Sequence, residues 1–463
     1  MNYAGCLDQL AVVGHELDGV KFDLRTIGRL LTALGDPHLK YPTAIIAGTN
    51  GKGSTSAMLA AILSRAGLLT GLYTSPHLVR INERIRVAGA EIPDEEFAAA
   101  FTEVHRRAGD LLGAGKLPRR PSYFEYLTAT AFLHFAQASA DFAVLEVGMG
   151  GRLDATNVTD ALVSVITNVA LDHERFLGAT IEAIAWEKAG VIKAGRPVIS
   201  GCEHEGAREV IRRRAEETGA EWLDLSAVAR VSNLRDHGGR FSFDLALGGD
   251  HFPGLAPALA GRFQIKNAVA AVAAAQSLKQ ALKQPPNQAL RQQGFEITAD
   301  AIAEGLSAVE WRGRLETICE RPLVLLDGAH NPAAAAEIAR FVREELGGRR
   351  LRMVYASMRD KAIDEISEIL FPLAHEIYLT SPPVGRTAPP NEILSRARAN
   401  PERIIIEMDP ARAVEEAFRA SAEEDVVLVT GSLFLVGAVE QSQRAGALDL
   451  ERRPGQAVSV GPY

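Results

Sequence analysis

Cysteine is scarce in this chain of 463 residues: Cys6, Cys202 and Cys319 lie far apart and form no Cys-x-x-Cys pair. That scarcity argues against a disulfide framework and against a zinc site, and it suits a reducing cytosol. Positive charge is not in excess either. The formal net charge of −8 offers no sign of the basic face that a nucleic-acid partner requires. Nucleic acid is therefore not expected as a partner.

Long apolar runs are also missing. The longest one near the C-terminal end, residues 426–439, is interrupted by Thr430-Gly431-Ser432 and is too short to span a bilayer. The first residues lack a basic stretch followed by an apolar one, so no secretory signal is predicted. We therefore expect a cytoplasmic protein with no membrane partner. Nothing in the surface pattern demands more than a monomer.

Short apolar runs alternate with longer amphipathic segments, which is typical of an α/β fold with a mostly parallel sheet. Strands are predicted at 44–47, 68–74, 142–147, 162–167, 323–326, 351–354, 376–379, 404–406 and 426–429. The glycine-rich, alternating stretch 227–261 predicts a hairpin or a small antiparallel sheet. A helix is predicted from 299 to about 309. The length of the chain predicts two or three domains, and we place the junction between domains 1–308 and 309–463.

A glycine-rich loop with a lysine lies between a predicted strand and a predicted helix. It consists of Gly48, Thr49, Asn50, Gly51, Lys52, Gly53 and Ser54. Backbone N–H groups and the helix N-terminus would face phosphates, and Lys52 adds a compact positive charge. The match to Gly-x4-Gly-Lys-Ser/Thr is imperfect, because Ile46 stands at a glycine position and Gly53 follows the lysine. The alternative is a tight turn that merely carries a lysine. The density of glycine after an apolar strand favours phosphate binding.

Polar side chains follow three of the predicted strands: Ser75, Glu146 and His173. Ligands bind outside the carboxyl ends of the strands in an open parallel sheet. A carboxylate at that edge is costly unless it is paired or holds a cation, and Mg²⁺ prefers oxygen ligands. Glu146 is therefore predicted to be a metal ligand rather than a partner in a structural salt bridge. His173 alone is a weaker candidate, since imidazole suits zinc better than magnesium.

Lys188 is predicted to lie on the inward face of a helix. It follows Ile184 by four residues and Ile181 by seven, and this spacing puts the three side chains on one face. One interpretation is a lysine whose ammonium reaches the rim of the core. The other is a desolvated amine with a lowered pKa, able to donate to phosphate or to react with CO₂ to give a carbamate. The pattern alone does not separate the two.

Five segments occur in a fixed order along the chain: Gly48-Thr49-Asn50-Gly51-Lys52-Gly53-Ser54, Thr74-Ser75-Pro76-His77-Leu78, Leu171-Asp172-His173, Glu187-Lys188-Ala189-Gly190 and Asp327-Gly328-Ala329-His330-Asn331-Pro332. Together they resemble the folylpolyglutamate synthase family, which belongs to the Mur ligase superfamily. The resemblance runs from about Phe22 to Val436. It implies a P-loop domain with a mostly parallel sheet, a smaller Rossmann-like C-terminal α/β domain, and ATP-driven addition of L-glutamate to a folate carboxylate.

The resemblance also implies site residues. For two Mg²⁺ sites the ligands would be Ser75, Glu146, His173 and a carbamylated Lys188, with K⁺ as a possible further ion. Catalysis would involve Lys52, Lys188 and His173. Residues in contact with ATP, besides the loop Thr49 to Ser54, would be Asn267, Arg314 and Asp327. The glutamate pocket would contain His330 and Ser432. Arg312 stands where the family usually has proline, so the turn there is expected to differ.

The segment Gly150 to Asn157 resembles the version in bifunctional bacterial enzymes that also convert dihydropteroate to dihydrofolate. A pteridine ring would need a flat apolar slot with a few polar partners. The substrate-binding residues implied are Phe22, Asp23, Leu24, Phe124, Arg152, Asp154 and Ala155. For Phe22, Asp23, Leu24 and Phe124, simple core packing is an equally good interpretation.

The implied reaction passes through an acyl phosphate, and the C-terminal domain is expected to close over it and exclude water. Two other functions remain open. One is a Mur-type ligase with a non-folate acceptor, against which the Thr-Ser-Pro-His and Asp-Gly-Ala-His-Asn-Pro segments argue. The other is a P-loop nucleotide-binding protein that is not a ligase, which would need no amino-acid pocket.

Overall fold

The computed structural model describes residues 1–14, 23–282, 295–397 and 404–451. The chain divides into two compact units. The first unit comprises Met1–Arg235, Ser242–Ala258 and Gln264–Val309, and the second comprises Asp236–Phe241, Leu259–Phe263 and Glu310–Tyr463. The second unit thus includes two short segments that precede the main C-terminal portion in sequence.

Both units alternate strands with helices. The α-helices of the described residues are α1 (Tyr3–Val13), α2 (Arg25–Ala33), α3 (Lys52–Arg65), α4 (Asp94–Gly113), α5 (Tyr123–Gln137), α6 (Glu174–Leu177), α7 (Ile181–Ala189), α8 (Glu205–Thr218), α9 (Leu225–Val228), α10 (Phe263–Ala281), α11 (Ala299–Ser307), α12 (Pro332–Glu345), α13 (Ile363–Leu370), α14 (Pro390–Arg396), α15 (Pro410–Arg419) and α16 (Leu433–Arg444). The strands are β1 (Thr43–Ala47), β2 (Thr70–Tyr73), β3 (Ile85–Val87), β4 (Ala90–Glu91), β5 (Phe142–Glu146), β6 (Val163–Ile166), β7 (Val198–Ser200), β8 (Trp222–Asp224), β9 (Ala229–Asp236), β10 (Phe241–Leu247), β11 (Asp250–Leu255), β12 (Glu316–Glu320), β13 (Leu323–Leu326), β14 (Leu351–Tyr355), β15 (Glu376–Leu379), β16 (Ile404–Ile406) and β17 (Val426–Thr430).

The large sheet of the first unit has the order β4-β3-β2-β5-β1-β6-β7-β8. From β2 to β8 all neighbours are parallel, and only β3 and β4 run antiparallel at one edge. The carboxyl ends of β2, β5, β1 and β6 therefore lie side by side at one edge of the sheet. The predicted α/β class and all four strands predicted in this half are confirmed.

Helix α3 follows β1 and is almost entirely buried, with ten of its residues shielded from solvent. It packs closely against α11, because a Cβ placed on Gly305 would lie 2.5 Å from the Cα of Ile62. Glycine is therefore required at this crossing, and the close approach fixes the helix whose first turn completes the candidate phosphate loop.

The stretch predicted to form a small antiparallel sheet does so. It contains three strands in the order β11-β10-β9. The side chains of Phe241, Phe243 and Leu245 alternate along β10 and are all buried. This is the period-two pattern expected of a sheet with one covered face.

The sheet of the second unit has the order β12-β13-β17-β14-β15-β16, and all neighbours are parallel except β12 with β13. The five strands predicted there are confirmed. A buried ion-pair network lies at the start of β14, where the guanidinium of Arg352 donates to Glu376 at 2.9 Å and to Asp425 at 2.7 Å. Among the described residues, no helix combines the length and apolarity needed to cross a membrane.

Candidate active site

The glycine-rich loop lies between β1 and α3, as predicted. The ammonium group of Lys52 folds back over the loop and donates to the carbonyls of Gly48 at 3.1 Å and Thr49 at 3.2 Å. Helix α3 begins at Lys52, so the N–H groups of its first turn face the same region. A cation and a helix N-terminus thus meet at the carboxyl end of a central parallel strand. This combination binds phosphate groups.

Two glycines of the loop are required by their surroundings. Gly48 has φ of 148°, and a Cβ there would lie 1.9 Å from Oγ1 of Thr167. Gly51 has φ of 81°, and a Cβ there would lie 2.2 Å from Oδ1 of Asn267. Larger residues would collide at both positions, in backbone conformations that L-residues rarely adopt.

The residues after β6 hold the phosphate loop in shape. Oδ1 of Asn168 accepts from the backbone N–H of Asn50 at 2.8 Å and of Thr49 at 3.2 Å. The hydroxyl of Thr167 donates to the carbonyl of Asn50 at 2.7 Å. Neither residue was predicted from the sequence. Their position at the end of a predicted strand was the available signal, since β6 is the neighbour of β1.

Lys188 is buried beneath the same loop. Its Nζ donates to the carbonyl of Gly48 at 2.8 Å, so it shares this acceptor with Lys52. Burial, and then the charge of Lys52, lower the pKa of Lys188 to about 7, and the charge of Asp172 opposes this shift. The neutral amine is therefore well populated near neutral pH. Of the two interpretations left open by the sequence, the geometry favours the desolvated amine.

Ser75 and Glu146 meet at the ends of the adjacent strands β2 and β5. The backbone N–H of Ser75 donates to Oε2 of Glu146 at 3.1 Å. Glu146 is buried, and it pairs in register with Ile46, just before the phosphate loop. The structure therefore brings these two predicted residues together beside the loop.

His173 has left-handed backbone geometry, with φ of 52°, and precedes the short helix α6. Its backbone N–H donates to Oδ1 of Asp172 at 2.9 Å, and its Nε2 lies 3.9 Å from Oδ2 of the same carboxylate. That separation is too long for a hydrogen bond between the imidazole and the carboxylate.

The donor chemistry at these strand ends fits Mg²⁺. Glu146 and Ser75 offer the hard oxygen ligands that Mg²⁺ prefers. Within the described ranges, no three His, Cys, Asp or Glu side chains are grouped to hold a metal ion. Mg²⁺ usually binds through one or two carboxylates plus phosphate oxygens and water rather than in a protein cage. As an amine hydrogen-bonded to a carbonyl, Lys188 is no magnesium ligand, whereas its carbamate would be.

The segment Gly148 to Asn157 forms a loop held from within by Asp154. The carboxylate of Asp154 accepts from the N–H groups of Gly148 and Met149 at 3.1 Å each. It also accepts from the N–H of Thr156 at 3.0 Å and its hydroxyl at 2.6 Å. Burial raises the pKa of Asp154, and these donors oppose the rise. Asp154 therefore shapes the loop, and its carboxylate is already engaged.

The other end of this loop packs on the helix that carries Lys188. Arg152 pairs with Glu187 at 2.9 Å, and a Cβ on Gly190 would lie 2.2 Å from that of Arg152. Ala155 is buried and begins a short 3₁₀ turn. The loop and α7 are thus packed together beside the phosphate loop.

Phe124 lies at the start of α5 and covers the first residue of that loop. A Cβ on Gly148 would lie 2.7 Å from the ring of Phe124, and the ring of Tyr73 lies 5.7 Å away. Asp23 accepts from the N–H of Arg25, and Leu24 packs on the core of the first unit. Phe22 lies outside the described residues.

The side chain of Asn267, on α10, lies against the phosphate loop. Its Oδ1 would be 2.2 Å from a Cβ placed on Gly51. Its Nδ2 donates to Oε1 of Gln264 at 2.8 Å, and both side chains are buried. Gln264 was not predicted from the sequence. It stands three residues earlier on the same helix, so it fixes which way the Asn267 amide points.

In the second unit, Arg314 and Asp327 form one cluster. Asp327 is buried, and its carboxylate accepts from the N–H of Leu315 at 3.0 Å and of Ala329 at 2.8 Å. Burial raises the pKa of Asp327, and the charge of Arg314 opposes the rise. A Cβ on Gly328 would lie 3.4 Å from Nη1 of Arg314. Two predicted residues are therefore packed around one turn.

His330 and Ser432 follow the adjacent strands β13 and β17. Nδ1 of His330 lies 2.8 Å from the carbonyl of Gly328. The hydroxyl of Ser432 caps α16 by accepting from the N–H of Phe434 at 3.1 Å. Both residues lie at the carboxyl edge of the second sheet, where ligands bind in open α/β sheets.

Two family models match the chain. The Mur ligase middle domain matches residues 46–275, and the Mur ligase glutamate ligase domain matches residues 313–433. The chain is also similar to a dihydrofolate synthase/folylpolyglutamate synthase of Bacillus subtilis, with 33% identity over 428 residues, covering 91% of this chain and 95% of that protein.

Solved structures agree with this family. Escherichia coli FolC, in complex with DHPP and ADP, superposes with a TM-score of 0.83 at 30% identity, covering 96% of this chain and 99% of that one. The folylpolyglutamate synthase of Mycobacterium tuberculosis, complexed with ADP and AMPPCP, gives a TM-score of 0.84 at 32% identity, covering 94% and 98%.

Proposed function

The chain belongs to the folylpolyglutamate synthase and dihydrofolate synthase family of the Mur ligase superfamily, and on this premise we propose that it uses ATP to join L-glutamate to a folate through an amide bond. The observation that carries the proposal is the meeting of two lysines on one carbonyl of the phosphate loop, with the nearby pair of Glu146 and Ser75. A cation for phosphate, a reactive amine and a carboxylate are what an ATP-driven ligation requires.

The phosphate loop binds the triphosphate in this proposal. Thr49, Asn50, Gly51, Gly53 and Ser54 contribute backbone and hydroxyl groups, and Asn267 approaches the loop from α10. Lys52 exchanges its contacts with the Gly48 and Thr49 carbonyls for contacts with phosphate oxygens. A positioned positive charge stabilises the charge that is spread over a transferring phosphoryl group.

Two Mg²⁺ ions complete the proposed site. Ser75 and Glu146 would hold one, and His173 with the carbamate of Lys188 would hold the other. The bound ions would neutralise charge on the phosphates and on the substrate carboxylate. The lowered pKa of Lys188, about 7, supports the carbamate, because only a neutral amine reacts with CO₂.

The first chemical step makes the acceptor carboxylate electrophilic. A carboxylate oxygen of the folate attacks the γ-phosphorus of ATP, the bond to the bridging oxygen breaks, and ADP leaves with the electron pair. The product is an acyl phosphate. Lys52 and the loop amides hold the phosphoryl group in line for this transfer.

In the second step the neutral amino group of L-glutamate attacks the acyl carbon. A tetrahedral intermediate forms, inorganic phosphate leaves, and the new amide nitrogen loses its extra proton. We propose that His330 and Ser432 bind the glutamate, and that Arg314 and Asp327 contact ATP. In this proposal the amino-acid function belongs to domain 309–463 and the P-loop function to domain 1–308.

We further propose that the protein is bifunctional and also converts dihydropteroate to dihydrofolate. The support is the loop Gly148 to Asn157, which carries Arg152, Asp154 and Ala155. The ring of Phe124 covers its first residue and offers an apolar face to a pteridine. In this proposal Asp154 shapes the substrate loop, and Phe22, Asp23 and Leu24 belong to the same binding region.

ATP hydrolysis tests both proposals in one assay, run with dihydropteroate, with tetrahydrofolate, or with neither, each with and without L-glutamate, and with Mg²⁺ and K⁺ varied. A bifunctional enzyme releases ADP with either acceptor once glutamate is present. If ADP is released with tetrahydrofolate and glutamate but not with dihydropteroate and glutamate, the dihydropteroate activity is refuted. If neither dihydropteroate nor tetrahydrofolate leads to ADP release in the presence of L-glutamate, the ligase assignment to folate is overturned. The result would then point to a non-folate acceptor or to a non-ligase protein.

The lysines provide the matched variants. Lys52→Met should lower turnover by at least about a hundredfold, as expected for loss of one charge-stabilising donor. Lys40→Met removes an exposed lysine and should leave turnover unchanged. Lys188→Ala should abolish turnover and spare the fold, and short-chain carboxylates should restore part of it if the carbamate is the active form. Full activity in Lys188→Ala would end the carbamate proposal.

A further inference from the structure

Two carboxyl groups of the second unit meet beside the turn that carries Arg314. Glu316 begins β12, and Glu440 lies near the end of α16. The side chain of Glu440 is only 1% exposed. Its Oε2 lies 3.0 Å from Nη2 of Arg444 and 3.6 Å from Nη1 of Arg312. Its Oε1 is shut off from solvent and has no hydrogen-bond donor among the residues that the structure describes.

Glu316 anchors the turn. Its Oε2 accepts from the backbone N–H of Gly313 at 2.8 Å. Gly313 has φ of 68° and Leu315 has φ of 48°, so left-handed residues flank Arg314 on both sides. Such geometry in a residue other than glycine persists only when surrounding contacts enforce it. Asp327 holds the N–H of Leu315 from one side, and Glu316 holds Gly313 from the other.

A proton between the two carboxyl groups explains their contact. Glu316 and Glu440 interact directly through their side chains. Two ionised carboxylates in contact repel one another, whereas one proton lets the first donate to the second. Burial, and then the charge of Glu316, raise the pKa of Glu440 to about 7. Arg312 and Arg444 oppose this rise.

The charged groups around Glu440 come from three elements. Glu316 faces it from β12, Arg312 faces it from the turn, and Arg444 lies one helical turn further along α16. On α15, which packs against α16, Glu415 and Arg419 pair with each other at 2.8 Å. The protonation of Glu440 therefore depends on one acidic neighbour, Glu316, and two basic ones, Arg312 and Arg444.

We propose that Glu440 is a positioning residue for Arg314: a proton held between Glu440 and Glu316 keeps Glu316 on the Gly313 amide, and this fixes the turn that presents Arg314. This inference rests on the proposed contact of Arg314 with ATP. When the proton is lost, the two anions repel, Glu316 is displaced from the Gly313 amide, and Arg314 is held less firmly.

Arg312 sets the pH at which this happens. Its charge favours the ionised form of Glu440, so it lowers the pH at which the shared proton leaves. The pH dependence is therefore a property of this chain's own side chains.

The test is the equilibrium Kd for ATP with Mg²⁺ but without acceptor or glutamate, measured by calorimetry from pH 6 to 8.5. In the wild type the Kd should rise about tenfold as the pH passes through about 7, as expected for loss of one hydrogen bond to a charged acceptor. Glu440→Gln stays neutral and can still donate to Glu316. Because Lys188 beneath the phosphate loop also titrates near pH 7, the quantity compared is the ratio of the wild-type Kd to the Glu440→Gln Kd, which should be close to one at pH 6 and rise about tenfold above pH 7.

Two further variants sharpen the result. Arg312→Ala should move the rise in Kd to higher pH, because the positive charge that favours the ionised form is gone. Glu415→Gln, on the neighbouring helix, should retain the wild-type profile. A Kd profile that is the same in the wild type and Glu440→Gln, a flat wild-type profile, or uniformly weak binding by Glu440→Gln would each overturn the inference while leaving the proposed function intact. Absence of ATP binding by the wild type would overturn both.

Discussion

The substitution Lys188→Met tests whether the amine beneath the phosphate loop is desolvated. Methionine has a similar length and no charge, so it keeps the packing and removes the titration. A pKa lowered from 10.5 to about 7 corresponds to about 5 kcal/mol of unfolding free energy. This is the cost of holding a protonated lysine in the folded chain.

The sign of the pH dependence follows from the two protonation states. Below pH 7 the folded and unfolded chains both hold the proton, so the full cost is present in the wild type. Between about pH 7 and 10.5 the unfolded chain keeps the proton and the folded chain does not. Wild-type stability therefore gains about 1.4 kcal/mol per pH unit from this residue across that range. The methionine variant lacks this slope.

The hydrogen bond from Lys188 to the Gly48 carbonyl is lost in the variant, which subtracts about 1 kcal/mol at every pH. The methionine variant should therefore be about 4 kcal/mol more stable below pH 7. Its advantage should shrink as the pH rises and vanish near pH 10. The slope is the decisive quantity, because the lost hydrogen bond does not affect it.

Urea unfolding in CO₂-free buffer measures this difference at several pH values. A Trp311→Phe background confines tryptophan fluorescence to Trp186 and Trp222, which both lie in the first unit with Lys188. The control is Lys193→Met, because burial lowers the pKa of Lys193 only to about 8. For Lys193→Met, the stability difference from wild type should begin to change at a pH about one unit higher than for Lys188→Met. A stability difference for Lys188→Met that does not change between pH 7 and 9.5 would refute the desolvated amine.

Two other substitutions test the loops of the site. Gly51→Ala should weaken ATP binding, measured by calorimetry, at least about tenfold, because the new Cβ would lie 2.2 Å from Asn267. The control Gly67→Ala should leave ATP binding unchanged, because Gly67 has a similar positive φ but open space around it. Asp154→Asn should speed amide hydrogen exchange across 148–157, because the side-chain amide of asparagine cannot accept from all four donors. The local free energy of opening of this loop should fall by about 1–3 kcal/mol. Exchange rates equal to wild type would contradict this role.

The strand ends and the phosphate loop were predictable because parallel topology brings the carboxyl ends of strands together whatever their separation in sequence. Ser75 and Glu146 are 71 residues apart and still meet, because β2 and β5 are neighbours. Helical spacing likewise predicted that Lys188 faces inward. These inferences need only a strand, a helix and the direction of the chain.

The supporting contacts could not be predicted in the same way. Asn168 anchors the phosphate loop through a side-chain oxygen, and only knowledge that β6 lies beside β1 makes it a candidate. Glu316 and Glu440 belong to different elements and are brought together by tertiary packing alone. No local period or motif records such a pair.

The buried ionisable groups of this chain differ in the partners that surround them, and that difference separates positioning groups from reactive ones. Asp154 is surrounded by amide and hydroxyl donors, which stabilise its charge and fix its place. Lys188 has one carbonyl acceptor, which it shares with a second ammonium group. A buried cation beside a like charge is stabilised by losing its proton, whereas a buried anion among donors is stabilised by keeping its charge. Burial alone would rank the two together, but their hydrogen-bond partners favour the neutral amine at Lys188, which the proposed carbamate requires, and the anion at Asp154, which holds its loop.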